Sequence, residues 1–185
     1  MGIPLFFRYL INNYDNLLSS NKQLLDCDNL YLDLNCAIHY CCREVLKNEK
    51  FSLTNQNNIE NKMIQFVIQY IEILVEYSKP KKLLYIAVDG PAPKAKLNQQ
   101  RMRRFKKFYD KKTSDELKIK FKEEMNVDSE WDTNAITPGT LFMDKLSKKL
   151  KSYFINKKII KVIISDSNIP GEGEHKLLNQ LKKNY

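Results

Sequence analysis

LLYIAVDGP, at residues 83–91, is an apolar run that ends in Asp89 and is then broken by glycine and proline. Two further apolar runs also carry an aspartate at or near their ends, NLYLDLN at 29–35 and KIIKVIISD at 158–166. Short runs of this kind predict strands buried on both faces, as in parallel sheets. The segments between them are long enough to hold the crossover helices that parallel neighbours require. We therefore predict an α/β fold with a Rossmann-like parallel sheet flanked by helices.

Apolar residues that recur every three or four positions predict the helices of this fold. A long polar helix covers much of 94–124, and an Asn-rich loop at 54–58 precedes a helix with an apolar face from Ile59 to Leu74. The segment 109–135 is highly charged and weakly periodic, so we expect a mobile excursion within one domain, 1–185. The other predicted helices cover 3–18, 36–48, a stripe from Leu141 to Phe154 that starts at Thr137-Pro138, and 174–183.

The overall composition fits one soluble domain, with 185 residues, 43% of them hydrophobic, and a net charge of +9. No apolar run is long enough to cross a bilayer and no signal peptide is present, so we expect an intracellular protein, cytoplasmic rather than nuclear. The cysteines form no C-x-x-C pair, which argues against zinc, and we predict buried free thiols rather than disulfides. They are Cys27, Cys36, Cys41 and Cys42.

The positive charge is concentrated in one segment, since residues 94–124 hold 12 Lys+Arg against 5 Asp+Glu. The whole chain has 26 lysines but only five arginines, and three of those arginines lie at 101, 103 and 104. Arginine binds phosphate through a planar, bidentate fork, so this choice indicates a phosphate site. A solvated helix face is the alternative for any charge run. The polar stripe of this helix consists of Lys96, Gln100, Arg103, Arg104 and Lys107.

Acidic residues follow all three predicted strands, at the sheet edge where ligand sites form. A single strand-end aspartate is more simply a cap or turn residue, but Asp33, Asp89 and Asp166 would share this edge with Glu172 and Glu174. Gathered carboxylates repel one another unless a cation neutralises them, and oxygen ligands favour Mg²⁺ or Mn²⁺ over zinc. We therefore predict a metal site suited to two ions and to phosphoryl transfer.

The two glutamates lie in PGEGEH, residues 170–175, at a predicted helix start. Flanking glycines allow both glutamate side chains to turn toward one site. A simpler explanation for acidic residues at a helix start is their favourable interaction with the helix dipole. We predict a structural or helix-start role for His175.

Five motifs span nearly the whole chain in a fixed order. They are MGIPLFFRYL (1–10), DNLYLDLNCAIH (28–39), PKKLLYIAVDGPAPKAKLNQQRMRRF (80–105), NAITPGTLFM (134–143) and IPGEGEHK (169–176). In order and spacing they resemble the N-terminal region of the Xrn/Rat 5′-to-3′ exoribonucleases. The resemblance implies a PIN/FEN-like sheet and processive, metal-dependent removal of nucleotides from single-stranded RNA that bears a 5′ monophosphate.

The resemblance also assigns residue roles by motif position. The metal-coordinating catalytic residues would be Asp33, Asp89, Glu172 and Glu174. The pocket for the terminal 5′ phosphate would be Lys96, Gln100, Arg103 and Arg104, with His39 stacked on the first base. Asp166 stays a metal-ligand candidate from its strand-end position alone.

Family members continue past the PGEGEHK helix to an Asp-x-Asp pair, another catalytic aspartate and a second conserved region. The resemblance therefore implies that this chain holds only part of the nuclease, with the rest supplied in cis or in trans. A non-catalytic protein that binds RNA 5′ ends is the alternative from a different class. A flap-type DNA nuclease is a further alternative, to which the Lys96 to Arg104 pattern is less similar.

Overall fold

The computed structural model describes residues 5–15, 27–49, 51–121, 131–155, 157 and 160–184. In this part of the chain, parallel strands form one sheet in the order β1 (Asn29–Asp33), β2 (Leu83–Ala87) and β3 (Lys161–Ser165). The helices are α1 (Phe6–Asn13), α2 (Asn35–Asn48), α3 (Gln56–Ser78), α4 (Lys94–Lys120), α5 (Leu141–Ile155) and α6 (Gly173–Asn184). The predicted parallel α/β fold is confirmed.

Strand β2 lies at the centre of the sheet, and all five of its residues are buried. Because side chains alternate across a strand, its two faces contribute to different cores. Leu84 and Ile86 pack in the main core with α2, α3 and α5, while Tyr85 and Ala87 pack on the other face with Leu177 of α6. The sheet is therefore covered on both faces, which explains why β2 reads as a continuous apolar run.

The register brings the carboxyl ends of the strands level with one another. Asp33 pairs with Ala87, and Ala87 pairs with Ser165. Asp166 comes directly after Ser165 and Asp89 comes two residues after Ala87, so both lie at the same edge of the sheet as Asp33. This arrangement confirms the prediction that all three strands deliver an aspartate to one edge.

Two predicted helix starts are wrong. Residues 54–58 are not a loop, because Asn55 Oδ1 accepts a hydrogen bond from Ser52 N at 2.8 Å and a 3₁₀ turn leads straight into α3. Helix α5 begins at Leu141 rather than at Thr137-Pro138, since Gly139 adopts a left-handed φ of 89°. The apolar stripe of α5 also excludes Leu141, which is 81% exposed.

Helix α1 is shorter than the predicted 3–18, whose first and last residues lie outside the described ranges. The chain leaves the helix at Tyr14, where the backbone is extended. Asn13 Nδ2 donates to the carbonyl oxygen of Tyr9 at 2.8 Å, a side-chain bond that competes with helix continuation.

The structure describes both ends of the segment 109–135, where the sequence predicts a mobile excursion. Its first part continues α4 to Lys120, and residues 122–130 lie outside the described ranges. Trp131 is buried, and its ring packs edge-on against Phe142 at a centroid distance of 5.2 Å.

The cysteines are free, as predicted, but not all of them are buried. Cys41 and Cys42 lie in the core on the inner face of α2, whereas Cys36 is exposed and Cys27 is half-buried. The prediction is therefore wrong for Cys36, because position 36 lies at the start of α2 beside the open sheet edge. No helix within the described ranges has an apolar stretch that could span a membrane.

Candidate active site

Asn35 fixes the relative positions of the first two strand-end aspartates. Its Nδ2 donates to Asp89 Oδ2 at 2.6 Å, and its Oδ1 accepts from Asp89 N at 3.0 Å. The backbone N–H of Asn35 also donates to Asp33 Oδ1 at 3.4 Å. Asn35 was not predicted as a site residue, although an amide side chain two residues after a strand-end aspartate is a usable signal.

The start of α6 lies directly against both aspartates. Gly173, its first residue, donates its backbone N–H to Asp89 Oδ1 at 2.6 Å. A Cβ atom on Gly173 would lie only 2.4 Å from Asp33 Oδ1, so no larger residue fits without displacing that carboxylate. The amino-terminal end of the helix, which carries a partial positive charge, therefore faces the two carboxylates.

The turn before α6 brings Glu172 and Glu174 together, as the sequence predicted. Gly171 adopts a left-handed φ of 109°, which reverses the alternation of an extended chain. The backbone N–H of Gly90 donates to Gly171 O at 2.9 Å, so this turn is joined to the loop after β2. Ligand atoms of Glu172, Glu174 and His175 lie within 4.8 Å of one another. His175, for which we predicted a structural role, is thus a third possible ligand.

Asp33, Asp89, Glu172 and Glu174 form what we term the acidic cluster. Partial burial raises the pKa of Asp33, the hydrogen bond from Asn35 N lowers it, and the charges of the other three carboxylates raise it further. The net effect is a pKa above the ordinary value, because burial, and to a smaller extent the neighbouring negative charges, disfavour the charged form of Asp33. An oxygen-rich set of mutually repelling carboxylates is a donor set that fits a hard divalent cation.

Asp166 does not share these partners, although it follows β3 as predicted. It is 2% exposed, and its carboxylate pairs with Lys151 of α5 and accepts from Asn168 N at 3.0 Å. Burial alone would raise the pKa of Asp166, but these two hydrogen bonds lower it below the ordinary value. Its contacts are those of a residue that anchors the loop after β3 to α5.

Lys176 is a second residue that the sequence analysis did not single out. It is 6% exposed, and its Nζ donates to Val88 O at 2.7 Å and to Asp166 O at 2.8 Å. Burial lowers the pKa of Lys176, while the charges of Asp166 and Asp89 raise it in part. A buried lysine in the first turns of α6 therefore ties this helix to the ends of β2 and β3.

The basic stripe of α4 meets the acidic cluster at one side of the sheet edge. Lys96 Nζ lies 3.1 Å from Glu172 Oε1, and both side chains are largely buried. Helix α4 also lines an open cleft with a volume of about 350 Å³. Its lining brings together Asp89, His39, Gln100, Arg103 and Arg104 with Asn35 and the loop 133–138.

Most of the predicted phosphate and base residues thus line one cleft together with a predicted metal ligand. Arg104 also donates from its guanidinium to Thr137 Oγ1 at 3.3 Å, which links α4 to the loop that closes the far wall. The side chain of Lys107 lies outside the described residues. The loop 133–138 was not predicted as part of the site, because it follows the weakly periodic segment of the sequence.

A second, wider groove of about 800 Å³ runs along the neighbouring face of α4. It shares Gln100 and Arg104 with the cleft and adds Arg101, Phe105 and Phe108. The side chains of Phe105 and Phe108 are more than half exposed. Arginine beside exposed aromatic rings is a combination typical of single-strand nucleic-acid sites.

Comparison with known proteins agrees with this geometry. Residues 1–185 match the family described as XRN 5′-3′ exonuclease N-terminus. The chain is 43% identical to 5′-3′ exoribonuclease 1 of Schizosaccharomyces pombe and 39% identical to that of Saccharomyces cerevisiae, over 98% of its length in both cases. It is 37% identical to the 5′-3′ exoribonuclease 2 homolog of Drosophila melanogaster over 99% of its length. The chain spans 14%, 12% and 24% of these relatives. It belongs to the XRN 5′-3′ exonuclease N-terminus family.

Proposed function

We propose that this chain supplies metal-coordinating carboxylates and the 5′-end cleft of a metal-dependent 5′-to-3′ exoribonuclease. The substrate is single-stranded RNA with a 5′ monophosphate. One observation carries the proposal. Asp89, a member of the acidic cluster, lines the same cleft as Gln100, Arg103 and Arg104. A terminal phosphate and a metal-bound scissile bond would therefore be held side by side.

The chemistry of the cleft fits a terminal phosphate. Two arginines and a glutamine offer forked donors, and arginine pairs with phosphate oxygens in a bidentate manner. His39 lies on α2 across the cleft, where an exposed imidazole ring can stack on the first base. The neighbouring groove, with Phe105 and Phe108, extends this surface for unpaired nucleotides.

The acidic cluster fits Mg²⁺ or Mn²⁺, held by Asp33, Asp89, Glu172 and Glu174. A bound divalent ion, or a pair of them, would activate a water and neutralise the leaving oxygen. Asn35 and Gly173 N–H hold Asp89 in place by hydrogen bonds of 2.6 to 3.0 Å. Lys96 contacts Glu172 and so joins the phosphate-binding helix to the cluster.

Binding of RNA 5′ ends is tested with the 185-residue chain in EDTA, so that no cleavage occurs. Oligoribonucleotides of one sequence carry either a 5′ monophosphate or a 5′ hydroxyl, and the wild-type chain should prefer the phosphate. Arg103→Ala should weaken binding of the phosphorylated RNA by about 10- to 100-fold, since a charge-assisted hydrogen bond contributes about 1.5–3 kcal/mol.

Arg101→Ala is the matched control, because Arg101 lies two residues away on α4 and lines the groove but not the cleft. Arg101→Ala should weaken the binding of both RNAs by a similar factor, so the preference for the 5′ monophosphate should remain. Equal loss of preference in both variants would contradict the cleft as the site of the terminal phosphate.

Catalysis is tested with the complete gene product that carries this chain, Mg²⁺ and 5′-monophosphorylated RNA. Asp89→Asn should abolish stepwise loss of nucleotides from the 5′ end, whereas Asp144→Asn, on the surface of α5, should not change it. An unchanged rate for Asp89→Asn would contradict the proposal. Binding without cleavage would instead support the RNA 5′-end binder, and a preference for branched DNA would support a flap-type nuclease.

A further inference from the structure

Lys176 occupies an unusual place for a lysine, in the protein interior directly behind the acidic cluster. It lies in the first turns of α6, two residues after Glu174, and only 6% of it is exposed. A buried ammonium group is costly unless its donors are satisfied. Here Nζ donates to two main-chain carbonyls, Val88 O at 2.7 Å and Asp166 O at 2.8 Å.

These two bonds join the elements that carry the predicted metal ligands. Val88 immediately precedes Asp89, and Lys176 shares its helix start with Glu172 and Glu174. The distance between β2 and the start of α6 therefore depends in part on Lys176, beside the main-chain bonds from Gly90 N to Gly171 O at 2.9 Å and from Gly171 N to Pro91 O at 3.0 Å. A second link between the same elements runs from Gly173 N to Asp89 Oδ1 at 2.6 Å, but it occupies a carboxylate oxygen of the cluster itself.

The two links differ in what a bound cation would do to them. A cation that takes Asp89 Oδ1 competes with the Gly173 bond, whereas the Lys176 bonds end on carbonyls and remain intact. Lys96 likewise occupies Glu172 Oε1, at 3.1 Å. Lys176 thus brings a positive charge close to Asp89 and holds the frame without occupying any carboxylate oxygen of the acidic cluster in the structure.

We propose that Lys176 is a positioning residue for the metal site, which sets the spacing between Asp89 and the pair Glu172 and Glu174. It acts by a strut from α6 to the ends of β2 and β3, and its charge offsets part of the repulsion among the four carboxylates. This inference rests on the proposed function, because it assumes that the acidic cluster binds a divalent cation.

The test measures Mn²⁺ binding to the 185-residue chain by titration calorimetry, beside urea unfolding of the same proteins. Lys176→Met should weaken Mn²⁺ binding by about 10- to 100-fold, the range observed when residues that orient metal ligands are removed. Lys145→Met is the matched control. Lys145 of α5 also pairs with a buried group, Glu60 of α3 at 2.8 Å, and neither residue belongs to the acidic cluster. The Lys145→Met variant should have a lower free energy of unfolding than the wild type but the same Mn²⁺ affinity.

A double-mutant cycle separates positioning from a general loss of stability. If Lys176 acts through the ligands, Lys176→Met combined with Glu174→Gln should weaken Mn²⁺ binding by less than the product of the two single effects. Lys176→Arg should restore part of the affinity lost in Lys176→Met. Wild-type affinity in folded Lys176→Met, or fully multiplicative losses in the cycle, would overturn the inference.

The folding of Lys176→Met and the Mn²⁺ affinity of the wild-type chain decide the remaining outcomes. If Lys176→Met does not fold, Lys176→Arg is measured alone and should bind Mn²⁺ more weakly than wild type; equal affinity would overturn the inference. If the wild-type chain binds no Mn²⁺, the proposed metal site fails and this inference with it. If the wild-type chain binds Mn²⁺ and the folded Lys176 variants bind it equally well, this inference is overturned and the proposed function stands.

Discussion

Replacing Gly173 with alanine gives a sharp test of the site, because stability and metal binding should respond differently. Gly173 is the first residue of α6, and its φ lies outside the left-handed region, so the backbone accepts alanine. The added methyl group would lie 2.4 Å from Asp33 Oδ1. Real Cβ atoms essentially never approach a heavy atom within 3.0 Å, so the Asp33 carboxylate must retreat by at least the difference, 0.6 Å.

This displacement is small for the fold but large for a metal site. Moving the Asp33 side chain off its rotamer costs about 0.5–1.5 kcal/mol. Alanine recovers up to about 1 kcal/mol over glycine in a helix, so the free energy of unfolding should fall by no more than about 1.5 kcal/mol. Metal-ligand distances, in contrast, tolerate only about 0.2 Å. Gly173→Ala should therefore behave like the loss of the Asp33 ligand.

The assay pairs Mn²⁺ titration calorimetry with urea unfolding of the 185-residue chain. Gly173→Ala should weaken Mn²⁺ binding by at least about tenfold, and adding it to Asp33→Ala should cause no further loss. Gly139→Ala is the control with the opposite pattern. Gly139 has a φ of 89° and nothing within 4 Å of an added Cβ, so alanine there costs about 1–2 kcal/mol of stability and leaves Mn²⁺ binding unchanged. Wild-type Mn²⁺ affinity in Gly173→Ala would refute the reasoning.

The sheet could be predicted from the sequence because its signal is local. Each strand is a short apolar run that ends in a polar residue, and burial on both faces removes the need for alternation. The three strands have the same length, five residues each, and they pair along that whole length, which brings Asp33 level with Ala87. Helix boundaries were less predictable, since they depend on single side-chain bonds such as Asn55 to Ser52 N, or on one left-handed residue, Gly139.

The gathering of the four carboxylates of the acidic cluster could be predicted from the strand-end pattern and from the resemblance, but the residues that support them could not. Asn35 and Lys176 act through hydrogen bonds to residues 54 and 88 positions away in sequence. Such contacts exist only once the crossover connections are closed, so no local pattern announces them. The role of Gly173 was misassigned for the same reason. Flexibility was the obvious explanation from the sequence, whereas the structure requires glycine there because the Asp33 carboxylate approaches from another element.

The remaining predictions concern buried groups away from the site. Burial raises the pKa of Cys41 to about 11 and that of Cys42 to about 12. Both thiols are therefore protonated at pH 8, and a maleimide should label exposed Cys36 well before either of them unless the protein is unfolded. Burial alone would raise the pKa of Glu60, but hydrogen bonds from Lys145 and a glutamine lower it overall. Its charged form thus stabilises the fold above pH 4.5, and this contribution is lost as pH falls through the lowered pKa. Lys145→Met should reduce the free energy of unfolding at pH 7 by about 2 kcal/mol, because a buried carboxylate loses its charged donor. The difference between the variant and the wild type should shrink in urea titrations at low pH, where Glu60 is protonated in both proteins. An undiminished difference at low pH would show that the side chain of Lys145 stabilises the fold by packing rather than by its charge.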